Sequence, residues 1–194
     1  MPKSGKYQAV VIGASAGGVR ALARILGGLR PDFPLPLVVV QHIGADGADS
    51  LPHHLDSLSP LPVREAEEKE PVEPGTVYLA PPDYHLLIER DRTFSLSQEE
   101  RVNFARPSID VLFETAAAAY GPRLIGVVLT GANRDGSAGL KAVREHGGLA
   151  IVQDPGEAES DVMPRAALAV AGADHVATAA GIAALLVGLA GGAR

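Results

Sequence analysis

The sequence predicts an α/β fold: a three-layer α/β/α sandwich around a doubly wound, mostly parallel sheet of about seven strands, with one antiparallel hairpin. Three observations carry this expectation. Short apolar runs rich in β-branched residues, such as Val10-Val11-Ile12 and Leu37-Val38-Val39-Val40, recur along the chain, as strands buried on both faces require. Between them lie segments whose apolar residues fall at helical spacing, so strands and helices alternate. At 194 residues the chain can build one substantial core but not two of ordinary size, and no repeat or linker divides residues 1–194, so a single domain is expected.

In chain order, Tyr7 to Ile12 reads as the first buried strand, and Val19, Leu22, Ala23, Leu26 and Leu29 follow on one helix face. The break at Pro31-Asp32-Phe33-Pro34 precedes a second buried strand, Leu37 to Val40, which runs into Gln41-His42. Gly44 to Gly47 is expected as loop, Leu51, Leu55 and Leu58 as a short helix, and Pro62 to Glu67 as a third strand. The acidic stretch Glu65 to Glu73 reads as solvated loop. Val77 to Ala80 starts another strand, after which His85 to Glu89 pairs with Thr93 to Ser97 around Arg90-Asp91-Arg92 as the antiparallel hairpin. Pro107 and Ser108 open a helix with Ile109, Leu112, Phe113 and Ala116 on its buried face, and Gly121-Pro122 closes it. Leu124 to Leu129 is the next buried strand, and the loop Thr130 to Gly136 leads into a helix carrying Leu140 and Val143 and stopped at Gly147-Gly148. Leu149 to Val152, a helix from Met163 to Val170, and a final strand and helix over Asp174 to Thr178 and Ile182 to Leu189 complete the pattern.

Composition narrows the function. The absence of cysteine excludes disulfides, thiol nucleophiles and sulfur-built zinc sites, and fits a reducing compartment. Met1 to Lys6 is polar and lacks the apolar core of a secretory signal, so a cytoplasmic protein is expected. A formal charge of -6, scattered Lys and Arg, and 4% aromatic residues give neither a basic stripe nor a base-stacking platform, so nucleic acid is not expected as a partner. Val176 to Ala193 is uncharged and approaches a membrane span in length, but its Ala and Gly content suits a strand end and a packed helix rather than stable membrane insertion. His53, His54 and His85 belong to no H-E-x-x-H motif or carboxylate cluster, so neither a metal nor a cofactor is expected.

The candidate site begins at Gly13-Ala14-Ser15-Ala16-Gly17. The G-x-S-x-G spacing lets a strand turn sharply into a helix and leaves a hydroxyl exposed above the sheet. The same small residues also suit an ordinary strand-to-helix turn. His42 and Asp135, like Ser15, fall just past expected strand ends, where doubly wound sheets bind their ligands. Alone, His42 reads as a polar strand end and Asp135 as a helix N-cap. Together the three supply an attacking hydroxyl, an imidazole base and a carboxylate that orients it. Their chain order, Ser, His, Asp, differs from the Ser, Asp, His order of α/β-hydrolases. Dinucleotide binding is disfavoured, because G-x-G-x-x-G needs glycine where Ser15 stands and the second strand ends in Gln41-His42 instead of an acid.

Six stretches spread over nearly the whole chain carry a resemblance: Gly13-Ala14-Ser15-Ala16-Gly17-Gly18, Gln41-His42, Pro81-Pro82-Asp83-Tyr84-His85, Arg106-Pro107-Ser108 to Phe113, Thr130-Gly131 to Asp135-Gly136, and Met163-Pro164-Arg165. Together they resemble CheB, the chemotaxis protein-glutamate methylesterase family. The match is to that family's catalytic domain, without the receiver domain that normally precedes it and regulates it by phosphorylation. The resemblance implies Ser15 as nucleophile, His42 as base and Asp135 as orienting carboxylate. It implies hydrolysis of glutamate γ-methyl esters on the cytoplasmic helices of chemoreceptors, or on another methylated signalling protein, with glutamine deamidation as a second activity. The oxyanion hole is expected at the backbone N–H groups of Ala16 and Ala132. Arg106, Arg134 and Arg165 are candidates for pairing with acidic residues of a target, and equally for ordinary surface salt bridges.

His42 Nε2 is expected to face Ser15 Oγ, with Nδ1 toward Asp135. The chain departs from the family pattern in having Ser15-Ala16-Gly17-Gly18 for Ser-Thr-Gly-Gly, Gly131-Ala132-Asn133 for Gly-Met-Gly, and Ala105 for a histidine. Asn133 is strained if its position needs the positive φ of glycine, and Ala105 bears on substrate contacts at the rim. A catalytically impaired module that only docks a signalling partner is the alternative reading.

Overall fold

The computed structural model describes residues 6–43 and 50–191. The expected Gly44–Gly47 loop lies outside the described residues, as do residues 1–5 and 192–194. The strands are β1 (Ala9–Ala14), β2 (Leu37–Gln41), β3 (Val63–Glu65), β4 (Val77–Leu79), β5 (His85–Ile88), β6 (Phe94–Ser97), β7 (Leu124–Val128), β8 (Leu149–Gln153) and β9 (His175–Ala177). The helices are α1 (Gly18–Gly27), α2 (Leu51–Asp56), α3 (Ile109–Tyr120), α4 (Ser137–Glu145), α5 (Val162–Val170) and α6 (Ala179–Ala190). Seven strands form a parallel sheet in the order β3-β4-β2-β1-β7-β8-β9, and β5 and β6 form a separate antiparallel pair.

The central strand explains why the sheet must be covered on both faces. Every residue of β1 is buried, and its side chains alternate between two cores. Val10, Ile12 and Ala14 join one cluster with Leu22, Ile25 and Leu26 of α1 and Ile182 and Leu186 of α6. Ala9 and Val11 join another with Ile109, Leu112 and Phe113 of α3, Leu140 of α4 and Phe94 of the hairpin. This period-two alternation fixes the register, since a slip of one residue would exchange the two faces. β1 continues two residues beyond the apolar run, because Gly13 and Ala14 pair with Val40 and Gln41 of β2 although neither carries a strand-like side chain.

Chain order reverses at β1, which has β2 on one side and β7 on the other. The loops leaving β1 and β7 therefore diverge over opposite faces and open a crevice at their carboxyl ends. Ser15 follows β1, His42 follows β2, and Thr130 to Gly136 follow β7, so three separate sequence segments meet there.

Two glycines set how closely the layers approach this point. A Cβ on Gly13 would lie 2.3 Å from Ile109 Cγ2, so the end of β1 touches the first turn of α3 directly. A Cβ on Gly18 would lie 2.0 Å from Gln41 Oε1, which seats the first turn of α1 against the end of β2. The Gly13→Ala variant should unfold at lower urea concentration, with a loss of about 1–3 kcal/mol from overpacking. An unchanged midpoint would mean that the first turn of α3 moves away freely.

Candidate active site

The serine elbow is held by the two strands beside it. Ser15 N donates to Thr130 O at 3.0 Å, and Gly18 N donates back to Ser15 O at 2.8 Å. Gly17 has φ 76°, the left-handed conformation that turns the chain into α1 and that glycine adopts without penalty. The Gln41 side-chain amide donates to Ser15 O at 2.9 Å and to His42 O at 2.8 Å, tying both reactive segments to the end of β2. On the other side Thr130 Oγ1 donates to Ala16 O at 2.8 Å.

Asp135 and His42 meet as the strand ends suggested. His42 Nε2 lies 3.0 Å from Asp135 Oδ2, with the aspartate side chain fully buried and the imidazole 14% exposed. The ring is turned opposite to the expected arrangement, since Nε2 rather than Nδ1 faces the carboxylate. Asp135 is held against the first turn of α3 by the N–H groups of Ile109 and Asp110, and Nε2 is the ring nitrogen that meets it there. Nδ1 is left pointing elsewhere, and the Asn133 side-chain nitrogen lies 3.3 Å from it. Asn133 Oδ1 accepts from Asp135 N at 2.9 Å, which fixes the other amide atom as the donor. The pair is therefore satisfied by the tautomer with hydrogen on Nε2 and a lone pair on Nδ1.

Asp135 is the most heavily bonded group of the site. Its Oδ1 accepts from Asn103 Nδ2 at 3.0 Å, Ser108 Oγ at 2.9 Å, Asp110 N at 3.1 Å and Gly136 N at 3.1 Å. Its Oδ2 accepts from Ile109 N at 2.6 Å in addition to His42. Ser108 occupies the N-cap of α3, yet its hydroxyl makes no capping bond. The carboxylate takes the capping role and faces the positive end of the helix. Burial pushes the Asp135 carboxyl up, but the bonds from His42, Ile109, Asn103 and Asp110 outweigh it and hold the pKa below the ordinary aspartate value.

A second carboxylate lies beside the first. Asp110 accepts from Gly139 N of α4 at 2.7 Å and from Asn103 Nδ2 at 2.7 Å. Burial pushes its pKa up, and the charge on Asp135 adds to that. One amide nitrogen, Asn103 Nδ2, thus bridges two acids. Sequence reasoning did not single out Asn103, whose role depends on two carboxylates that only the fold brings to it, and it named Gln41 and Thr130 without the backbone groups they hold. The phase of α3 does place Asp110 in its first turn, and that was the available signal.

Ser15, His42 and Asn133 line a groove of about 390 Å³ that continues to Leu79, Pro82 and Phe104. The backbone N–H groups of Ala16 and Ala132 make no hydrogen bonds among the described residues. Asn133 does not have a positive φ, so the strain expected at that position is absent. Ala105 is bridged to Val102 by paired backbone bonds of 3.1 and 2.9 Å. This small turn presents Phe104 with 98% exposure. Arg106 lines the groove, but its guanidinium donates to Asp83 Oδ1 at 2.8 Å and to Gln98 O at 2.9 Å. Arg165 of α5 pairs with Asp161, the N-cap residue of that helix, at 2.5 Å. Arg134 is exposed and forms no ion pair among the described residues. Among the described residues no cluster of three or more His, Asp or Glu could hold a metal ion, and no helix is long and apolar enough to cross a membrane.

The depressed Asp135 pKa has a sign that can be tested. A carboxyl whose folded value lies below its unfolded value, about 3.9, contributes stability that is full above the unfolded value and is lost as pH falls through the folded one. The stability gap between the native chain and Asp135→Asn should therefore be constant near neutrality and shrink below about pH 4, as read by urea denaturation across pH. A gap that stays constant down to strong acid would contradict an ionised, stabilising Asp135.

The chain matches the CheB methylesterase family over residues 10–186. A Leptospira interrogans protein, provisionally named protein-glutamate methylesterase/protein-glutamine glutaminase, is 54% identical over 94% of this chain and 95% of its own length. Protein-glutamate methylesterase/protein-glutamine glutaminase 1 of Burkholderia lata is 42% identical over 97% of this chain but only 56% of its own length. The CheB methylesterase catalytic domain of Thermotoga maritima, known from a crystal structure, superposes with a TM-score of 0.90 at 39% identity, covering 94% of this chain and 98% of that one. The family match over residues 10–186, together with a superposition that covers 94% of the chain, shows that the chain belongs to the CheB methylesterase family.

Proposed function

We propose that the protein is a serine esterase that removes methyl groups from glutamate γ-methyl esters on chemoreceptor cytoplasmic helices or a related methylated signalling protein, working as one domain over residues 1–194. The observation that carries this reading is the His42–Asp135 contact of 3.0 Å in the same groove as Ser15, at the carboxyl ends of three strands. In the reaction Ser15 Oγ adds to the ester carbonyl carbon while its proton passes to His42 Nδ1. Asp135 holds the ring through Nε2 and stabilises the imidazolium that forms. The carbonyl oxygen takes up the negative charge, and the N–H groups of Ala16 and Ala132 stabilise it.

As the carbonyl re-forms, the bond to the methoxy group breaks, and methanol leaves with the proton from Nδ1. Water then attacks the acyl-enzyme by the same route, freeing Ser15 and leaving glutamate. With glutamine as substrate, ammonia leaves in place of methanol. Of the three candidate arginines, Arg134 is the one proposed to meet an acidic residue of the target helix, because it is exposed while Arg106 and Arg165 already hold partners within the chain. A complementary charge there acts mainly on association rate and salt dependence.

Methanol release from methylated receptor fragments measures this directly. Ser15→Ala and His42→Ala should each lower the rate by at least about 1,000-fold, and combining them should cost little more, because the two act as a unit. Retained methanol release by Ser15→Ala would refute the nucleophile. A native chain that binds receptor without releasing methanol, and forms no adduct at Ser15 with a fluorophosphonate, would instead support a docking module.

A further inference from the structure

Neutral imidazole offers one lone pair, and two donors in this site have claims on it. With Nε2 turned to Asp135, Nδ1 is the one nitrogen that can take the Ser15 proton. In the structure the donor beside Nδ1 is the Asn133 carboxamide, at 3.3 Å. Among the described residues Ser15 Oγ makes no hydrogen bond. The Asn133 amide cannot stay where it is during the reaction. As Ser15 Oγ–H engages Nδ1 it must yield the lone pair, and once Nδ1 carries a proton, two N–H groups would face each other. The displacement coincides with the appearance of negative charge on the substrate carbonyl oxygen, in a groove that Asn133 lines together with Ser15.

We propose that Asn133 is a catalytic residue whose side-chain N–H rests on His42 Nδ1 in the free protein and passes to the oxyanion when Nδ1 receives the Ser15 proton. The inference rests on the serine-esterase reading above. No bond is made or broken to Asn133 itself. One neutral N–H···N hydrogen bond is exchanged for one N–H···O⁻ bond, which is the stronger because its acceptor is charged. The interaction thus favours the transition state over the ground state, the condition for accelerating the chemical step. Asn133 Oδ1 meanwhile remains bonded to Asp135 N at 2.9 Å, so rotation about the terminal side-chain bond competes with that contact and keeps the swing small. The adjacent Ala132 N–H, on the same loop, serves the same oxyanion, so backbone and side chain act from one segment.

The exchange predicts effects that a loop-stabilising role would not. Asn133→Ala removes both amide atoms, whereas Asn133→Asp keeps the oxygen that caps Asp135 N and puts a carboxylate oxygen where the donor stood. Both variants should lower kcat about 100- to 1,000-fold with KM little changed, the usual cost of losing one oxyanion donor. Both should also shift the acid limb of kcat/KM to higher pH, because a donor that favours the unprotonated ring is gone. The shift should be larger for Asn133→Asp, whose carboxylate would favour the protonated ring. Rates are read as methanol release from methylated receptor fragments, and independently as phosphonylation of Ser15 by a fluorophosphonate, followed by intact mass.

Full rates in Asn133→Asp with losses in Asn133→Ala would overturn the proposal in favour of a capping role. Rates within about threefold of the native chain in both variants, or an unmoved acid limb, would overturn it as well. A native chain that is phosphonylated at Ser15 but releases no methanol refutes the choice of substrate alone, and the phosphonylation rates of the variants still decide the hand-over. A native chain inert in both assays refutes the esterase reading and the hand-over together.

Discussion

The carboxylate of Asp135 at the first turn of α3 is the contact on which the site depends. A buried acid is costly unless its charge is matched by donors, and here the donors come from four places in the chain: Asn103, the Ser108–Asp110 turn, Gly136 and His42. The matching runs both ways between the two helices. Asp135, which precedes α4, closes the N-terminus of α3, while Asp110 in α3 accepts from Gly139 in the first turn of α4. Each helix supplies the acid that the other needs. Two negative groups so close would repel, and the structure resolves this by asymmetry: Asp135 is held below the ordinary aspartate value and Asp110 above it. Asn103, donating to both, sits at the boundary.

This anchoring dictates the chemistry available above it. Asp135 is fixed by the first turn of α3, and it meets His42 through Nε2. In the proposed mechanism the working nitrogen is Nδ1, nearer the backbone of the segment that Gln41 ties to the serine elbow. Parallel pairing of β1 with β2 places Ala14 against Gln41, so Ser15 and His42 leave their strands side by side. Neighbouring strands lie about 4.8 Å apart, close enough for the two side chains to work together once a substrate settles the rotamer. The glycines at 13 and 18 allow this compactness, one letting α3 approach β1 and the other letting α1 approach β2.

Much of the scaffold was legible because buried parallel strands leave an unmistakable trace. The runs around Val11, Val39, Val127 and Ile151 became four of the five inner strands, and the phase of Ile109, Leu112, Phe113 and Ala116 gave the buried face of α3. The positions of Ser15, His42 and Asp135 followed from where those runs stop. What the sequence could not express was direction. The identity of a histidine does not say which ring nitrogen faces its acid, and Ser108 reads as an N-cap although its hydroxyl serves Asp135 instead. Arg106 illustrates the same limit on the rim: its sequence left a target acid and an ordinary salt bridge equally open, and Asp83 with the carbonyls of Gln98 and Glu99 occupies it.

The departures from the family pattern are better understood through the backbone than through the side chains lost. At Asn133 the chain does not need a positive φ, so a side chain is admitted at no conformational cost, and it is used at once: Oδ1 closes a turn onto Asp135 N while Nδ2 reaches His42. At Ala105 the backbone closes against Val102 into a two-residue turn in which Asn103 and Phe104 have φ of 51° and 63°. Asn tolerates that region and Phe does not, so the turn keeps Phe104 there against its preference. Asn103 points inward to Asp135 and Phe104 outward at the groove, so this turn joins the rim to the buried carboxylate through one hydrogen bond. A contact that displaced the turn would therefore move a donor of the buried carboxylate.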